Sequence, residues 1–167
     1  MILGLDISST STGLVALDNN GTVLTALAIQ PDPNRKKGLD VISRGIIIAQ
    51  QIAHDVIQLD PDRIVIEDYG FASQKIVPQA EVKGIVFMCL RQLGRKWNLV
   101  SPNGLKKFVG AKEKEAIKLE VFKRWGFEHK SNDVIDAYVL ARIGYAMNGF
   151  GMMTKYQQEV VEKVLTG

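Results

Sequence analysis

The sequence predicts an α/β fold in which helices flank a mixed five-stranded sheet. The chain opens with three strand patterns in succession, then alternates strands with amphipathic helices, and ends in helices. Strands joined by short turns pair antiparallel, whereas strands joined through a helix pair parallel, so one sheet is expected to contain both kinds of pairing. At 167 residues the chain suits one domain with a full core.

The first three strands are predicted from short apolar segments at residues 2–7, 12–18 and 22–29. The segment Asn19-Asn20-Gly21 favours a hairpin turn between the second and the third of them. These strands are therefore expected to form an antiparallel unit at the start of the sheet.

The remaining elements follow from hydrophobic periodicity. Residues 63–67 form an apolar strand of the kind found at the centre of a sheet covered on both faces, and residues 97–100 form a fifth strand. Apolar residues recur at helical spacing elsewhere. The predicted helices span residues 39–59, 78–93, 102–108, 113–125, 133–147 and 154–165. Residues 1–167 are interpreted as a single domain, with residues 149–167 as a C-terminal helical extension.

Composition argues against a membrane or secreted protein. No apolar run reaches the roughly 18 residues of a membrane span, and the N-terminus lacks the pattern of a signal peptide. The single cysteine, Cys89, cannot form an internal disulfide. We therefore expect a cytoplasmic protein without a membrane partner.

The net charge of +3 conceals an uneven distribution. Residues 83–130 contain 12 Lys and Arg against 4 Glu, while the segments on either side are net acidic. A basic segment of this kind favours a polyanionic partner such as nucleic acid. The alternative is a solvated helix face, since Glu113, Glu115 and Glu120 interrupt the segment.

Four acidic residues stand where a site could form: Asp6, Glu67, Asp133 and Asp136. The first lies in the first strand, the second ends the fourth strand, and the last two share one face of a helix near its start. These residues also have structural interpretations. Asp6 could be a turn residue at the end of a strand, and Asp133 could be a helix N-cap. Asp68 is left out, because strand alternation points it to the opposite face.

The pattern indicates metal-dependent phosphodiester chemistry. Two divalent cations about 4 Å apart can activate a water molecule and stabilise the leaving oxygen. Mg²⁺ prefers carboxylate oxygens, so such a site needs several acidic side chains converging from different elements. We therefore expect two Mg²⁺ ions per site, with Mn²⁺ as a substitute.

With these residues in place, the chain resembles the RuvC-like Holliday-junction resolvases of the RNase H superfamily over about residues 1–148. Four segments in this order carry the resemblance. They are Ile2-Leu-Gly-Leu-Asp6-Ile-Ser-Ser-Thr-Ser-Thr-Gly13, Val65-Ile66-Glu67, Lys106-Lys107-Phe-Val-Gly110-Ala-Lys112-Glu-Lys114 and Asp133-Val-Ile-Asp136-Ala137. The resemblance implies an RNase H-like fold and a crossover junction endonuclease that makes paired, symmetric nicks.

The resemblance also implies roles for individual residues. The metal ligands and catalytic carboxylates would be Asp6, Glu67, Asp133 and Asp136. Lys114 matches the catalytic lysine, and Lys106 or Lys107 matches a second functional lysine that contacts DNA. The glycine-rich loop before the catalytic lysine is shorter here, so Lys112 could take the role of Lys114.

A second departure concerns the aromatic wedge of the family, whose position is occupied here by Gly70. Tyr69 and Phe71 flank this glycine, and either could stack on an unpaired base. Both could equally pack within the loop.

The resemblance further implies branched DNA as partner, a homodimer built on the helix at residues 78–93 with help from the first helix, and a bacterial or phage-infected host cell. Three alternatives remain. One is a less selective nuclease for flaps, forks and three-way junctions. Another is an actin-like ATP-dependent kinase or ATPase fragment, because the first motif resembles a phosphate loop. The third is a non-catalytic DNA-binding scaffold.

Overall fold

The computed structural model describes residues 1–32, 38–70 and 76–166. The strands are β1 (Ile2–Asp6), β2 (Thr12–Leu17), β3 (Val23–Ile29), β4 (Arg63–Glu67) and β5 (Asn98–Val100). The α-helices are α1 (Val41–Leu59), α2 (Ile76–Gln92), α3 (Pro102–Val109), α4 (Ile117–Trp125), α5 (Asn132–Met147) and α6 (Lys155–Thr166). Within these residues, no helix is both long enough and apolar enough to cross a membrane.

The five strands form one mixed sheet in the order β3-β2-β1-β4-β5. β1 pairs antiparallel with β2 and parallel with β4, while β4 pairs parallel with β5. The prediction of a mixed five-stranded sheet flanked by helices is therefore confirmed.

Alternation along β1 divides its side chains between two cores. Leu3 and Leu5 face the layer formed by α1 and α2, whereas Ile2 faces the layer formed by α5 with α3, α4 and α6. Gly4 has the same parity as Ile2 and lies against α5. Asp6 follows in that series, so its side chain belongs to the α5 face.

The start of α4 differs from the sequence prediction more than that of any other helix. α4 was expected from residue 113 but begins at Ile117, after a 3₁₀ turn at Lys114–Ala116. The residues before Ile117 offer no apolar face to bury and no side-chain cap, so the regular helix starts only at this first buried residue. The described residues of α2 are helical from Ile76, and α1 begins at Val41, so each of these helices differs by two residues from its predicted start at 78 or 39.

Helix α5 lies unusually close to the sheet because three glycines face the contact. A Cβ atom at Gly4 would overlap the carbonyl oxygen of Ala137, and one at Gly13 would overlap the carbonyl oxygen of Asp133. On the helix side, a Cβ at Gly144 would stand 2.6 Å from Cγ2 of Ile2. At Gly4 and Gly13 backbone therefore packs on backbone, and at Gly144 the helix backbone packs on side chains of the sheet.

We expect Gly4→Ala to destabilise the protein by about 1–3 kcal/mol or more, because the added methyl group forces α5 away from β1. Gly84→Ala is the matched control: it lies within α2, and a Cβ there meets nothing within 4 Å. Alanine is the better helix former, so the control is expected to gain about 0.5–1 kcal/mol. Urea unfolding of both variants measures this difference; equal stabilities would contradict the close-packing account.

Candidate active site

Three elements bring the four acidic residues to one end of the sheet. Asp6 ends β1 and Glu67 ends β4, and these neighbouring strands are parallel, so both residues reach the same edge. Asp133 and Asp136 lie in the first turns of α5, which crosses this edge. We refer to these four residues as the acidic cluster.

Strand parity explains why the carboxylates meet on one face. Val65 faces the α5 core and Ile66 faces the α1/α2 core, so Glu67 returns to the α5 face. Asp6 has the same orientation, and its cross-strand partner is Gly13. The backbone of Asp133 rests on that glycine, which draws the start of α5 towards Asp6.

Two members of the cluster are buried. Asp6 is 8% exposed and Asp136 is 4% exposed. Burial, followed by the negative charges of the other three members, raises the pKa of Asp6 well above 3.8, and a hydrogen bond with Glu67 contributes. Burial also raises the pKa of Asp136 to about 6, although Lys114 opposes the shift. The cluster thus brings together carboxyl groups whose ionisation the fold alone disfavours.

The donor set of the cluster suits a hard divalent cation, because it consists of carboxylates whose mutual repulsion a cation would relieve. Among the described residues, however, no three His, Cys, Asp or Glu side chains stand close enough together to hold a metal ion as they are oriented. The carboxylates therefore converge without forming a closed coordination site.

Among the four lysines named from the resemblance, Lys114 approaches the cluster. Its Nζ lies 3.6 Å from Oδ2 of Asp136, while its side chain stays 68% exposed. Burial alone would lower the pKa of this ammonium group, but the cluster, with Asp136 foremost, raises it. Lys114 therefore remains protonated beside the carboxylates.

The other predicted lysines lie farther along the same surface. Lys106 and Lys107 belong to α3, and Nζ of Lys107 forms a 2.6 Å ion pair with Glu159 of α6. Lys112 is exposed in the turn that precedes Lys114. Lys114 is thus the lysine that forms an ion pair with Asp136, while the choice between Lys112 and Lys114 for the catalytic role stays a prediction.

The loop after β4 was expected to contain an aromatic residue that stacks on DNA. Tyr69 donates its backbone N–H to Oδ1 of Asp68 at 2.8 Å. Phe71 lies outside the described residues. Asp68 lines a cleft of about 440 Å³ between β5, α3 and α6, which is separate from the cluster.

The interpretation of Asp133 as a helix N-cap is wrong. The N-cap position of α5 is Ser131, and Asp133 lies inside the first turn. Oγ of Ser131 lies 3.4 Å from Oδ2 of Asp133. A negative charge in this turn is favoured by the helix dipole, which also suits its place in the cluster.

Lys83 on α2 is a neighbour of the cluster that the sequence analysis did not identify. It is 2% exposed, and it donates hydrogen bonds to the backbone oxygens of Glu67 at 2.7 Å and Asp68 at 3.1 Å. Burial lowers the pKa of its amine, although Glu67, Asp6 and Asp68 attract the proton. The sequence feature that could have identified Lys83 is its position directly after Val82, in a helix whose other residues on that side are apolar.

We predict that Asp136→Asn stabilises the metal-free protein at neutral pH. Between pH about 4 and 6 the folded state retains a proton that the unfolded state has lost, so stability falls as pH rises. Above pH 6 the full penalty applies, roughly 3 kcal/mol at about 1.4 kcal/mol per pKa unit.

Thermal unfolding in EDTA at pH 7.5 should therefore show a higher Tm for Asp136→Asn than for the unsubstituted protein, and little difference near pH 4. Asp55→Asn on α1 is the control and should change stability by less than about 0.5 kcal/mol at either pH. A lower Tm for Asp136→Asn at pH 7.5 would rule out a cost of ionising the buried Asp136 carboxyl, which burial and then the neighbouring carboxylates impose.

Compared by sequence, the chain matches no family model and no curated protein. Compared by structure, it is similar to Thermus thermophilus RuvC, with a TM-score of 0.70, 18% identity and coverage of 92% of this chain and 99% of that chain. It is also similar to T. thermophilus RuvC in complex with Holliday junction substrate, with a TM-score of 0.68, 18% identity and coverage of 84% and 89%. The chain therefore has the RNase H-like fold in the form found in RuvC.

Proposed function

We propose that this protein is a metal-dependent endonuclease that resolves four-way DNA junctions by paired, symmetric nicks. The observation that carries the proposal is the acidic cluster, in which carboxylates from β1, β4 and α5 converge beside Lys114. The fold is shared with a RuvC that has been solved with a Holliday junction substrate. Burial of like charges at one edge of a sheet is hard to explain as a stabilising feature.

The cluster would hold two Mg²⁺ ions, or Mn²⁺ in their place. When bound, such ions supply an activated water and stabilisation of the leaving oxygen. Asp6, Glu67 and Asp136 would orient the site from three elements, with Asp133 at its open side. Lys114, which is kept protonated by the cluster, would stabilise negative charge on the scissile phosphate.

Clefts on both sides of the start of α5 suit a DNA backbone. One of about 300 Å³ is lined by Lys114, Lys118 and Asp136. The other, of about 610 Å³, is lined by Lys130 and Asp133 among others. A strand that crossed the cluster would meet lysines on each side, and Lys106, Lys107, Lys112 and Tyr69 would extend these contacts.

A homodimer would match the two-fold symmetry of a four-way junction. Exposed apolar residues on the outer surfaces of α1 and α2 support this part of the proposal. Ile42 and Ile46 of α1 are 48% and 45% exposed, and Val77 and Met88 of α2 are 65% and 58% exposed. By contrast, Val86 of α2 is buried in the core and does not belong to this surface.

A less selective branched-DNA nuclease is the second candidate, and Gly70 at the position of the aromatic wedge favours it. The kinase alternative has weaker support. Oγ of Ser8 donates to the backbone oxygen of Ser11, and Oγ1 of Thr12 donates to that of Ser8, so these hydroxyl groups close their own turn. They are therefore engaged without a phosphate.

The proposal is tested by cleavage of end-labelled synthetic DNA in Mg²⁺, with a four-way junction, a three-way junction, a flap and a linear duplex. We expect paired, symmetric nicks in the four-way junction and no cutting of the duplex. Cuts in all branched forms would favour the less selective nuclease over the junction resolvase. Binding without any cutting would favour the non-catalytic scaffold.

We further predict that Asp6→Asn reduces junction cleavage at least about 100-fold, the scale seen when a group that stabilises developing charge is removed. Junction binding should persist, because the basic segment supplies it. Asp55→Asn is the matched control, with the same substitution on α1 and wild-type cleavage expected. Cleavage by Asp6→Asn at the control rate would refute the assignment of the cluster.

A further inference from the structure

Lys83 is the only lysine or arginine that is fully buried among the described residues. Burying an ammonium group is costly unless hydrogen bonds and opposite charges compensate for it. The neighbouring residues Val82 and Val86 lie in the α1/α2 core, so the backbone of α2 is fixed by packing. The amine therefore reaches its partners from a rigid helix.

The partners of Lys83 are three consecutive residues where β4 ends. Its Nζ donates to the backbone oxygens of Glu67 and Asp68, and it lies 4.9 Å from the centroid of the Tyr69 ring. Beyond Glu67, one further sheet bond joins the N–H of Asp68 to the oxygen of Val100 at 2.8 Å. The amine thus holds the segment at which regular sheet structure stops.

Glu67 is the last residue of β4, and it pairs with Val100 of β5. Its side chain is aimed by the φ and ψ angles at that end. Lys83 bonds the backbone oxygen of Glu67 from the side of the sheet opposite α5. Lys83 therefore fixes the peptide group of Glu67, whose orientation sets the direction of the Glu67 carboxylate. The amine itself does not lie within the cluster.

We propose that Lys83 is a positioning residue that fixes the end of β4 so that Glu67 presents its carboxylate beside Asp6. This inference rests on the proposed function of the cluster as a metal site. It predicts that the effect of Lys83 on metal binding has a definite sign. If Lys83 acted only as a nearby positive charge, its removal would tighten cation binding, whereas loss of a positioning contact weakens it.

The test compares Lys83→Met, which keeps the length of the side chain and removes the amine, with Val86→Ala. The control lies on the same helix and loses core packing, but it leaves the hydrogen bonds from Lys83 to the end of β4 in place. Mn²⁺ binding is titrated by electron paramagnetic resonance at a temperature where unfolding curves show each variant to be folded. We expect Lys83→Met to bind Mn²⁺ at least about 10-fold more weakly, as for other residues that orient metal ligands, and Val86→Ala to bind like wild type.

A second readout separates positioning from DNA contact. Lys83→Met should need more Mg²⁺ for half-maximal junction cleavage, while its affinity for the junction without metal stays at the wild-type value. If Lys83→Met does not fold, Lys83→Leu, which also removes the N–H donors, replaces it and should show the same direction of change.

Unchanged or tighter Mn²⁺ binding by the folded Lys83 variant would overturn the positioning role and leave the proposed function intact. Weaker binding by Val86→Ala to the same extent would also overturn it, since general loosening would then suffice. A wild-type protein that bound no Mn²⁺ would instead overturn the metal site, and the inference about Lys83 with it.

Discussion

The contact between α5 and the first two strands is the constraint on which the rest of the structure depends. Gly4 and Gly13 leave the sheet without side chains where the helix crosses it, so the two backbones meet directly. The same contact forms much of one core and brings Asp133 and Asp136 to the edge where β1 and β4 end. Core packing and the geometry of the site therefore depend on the same contact. A change that displaces α5 affects both.

This arrangement places like charges in a buried environment, which opposes folding. Two lysines offset part of that cost from opposite sides. Lys114 approaches from solvent, and its pKa is raised by the cluster despite partial burial; Lys83 approaches from the interior, and burial lowers its pKa. The exposed lysine is free to meet a substrate, whereas the buried one acts only on the chain around it. Local conflicts of this kind are typical of functional sites in otherwise consistent folds.

Much of the fold was predictable because its signals are local. Strand alternation, the hairpin turn and helical spacing gave the sheet and its helices, and parity alone put Asp6 and Glu67 on one face. The role of Lys83 was not predictable, because it depends on a tertiary contact between α2 and the end of β4. The ion pair between Lys114 and Asp136 depends on the 3₁₀ turn before Ile117, which helical periodicity does not locate. The glycines of β1 and β2 were visible as motif residues, but their role depends on which helix crosses them.

The C-terminal extension bears on the proposed DNA surface through α6. Glu159 of α6 holds Lys107 in an ion pair in which both side chains are about half exposed. An exposed pair of this kind contributes only about 0–1 kcal/mol, so a phosphate group can displace the carboxylate at little cost. Lys107 is thus restrained in the absence of DNA yet remains available to it. Lys114 differs, because its carboxylate partner is buried and belongs to the site. The two lysines would therefore contribute differently, one to affinity along the backbone and the other to the chemistry at a single phosphate.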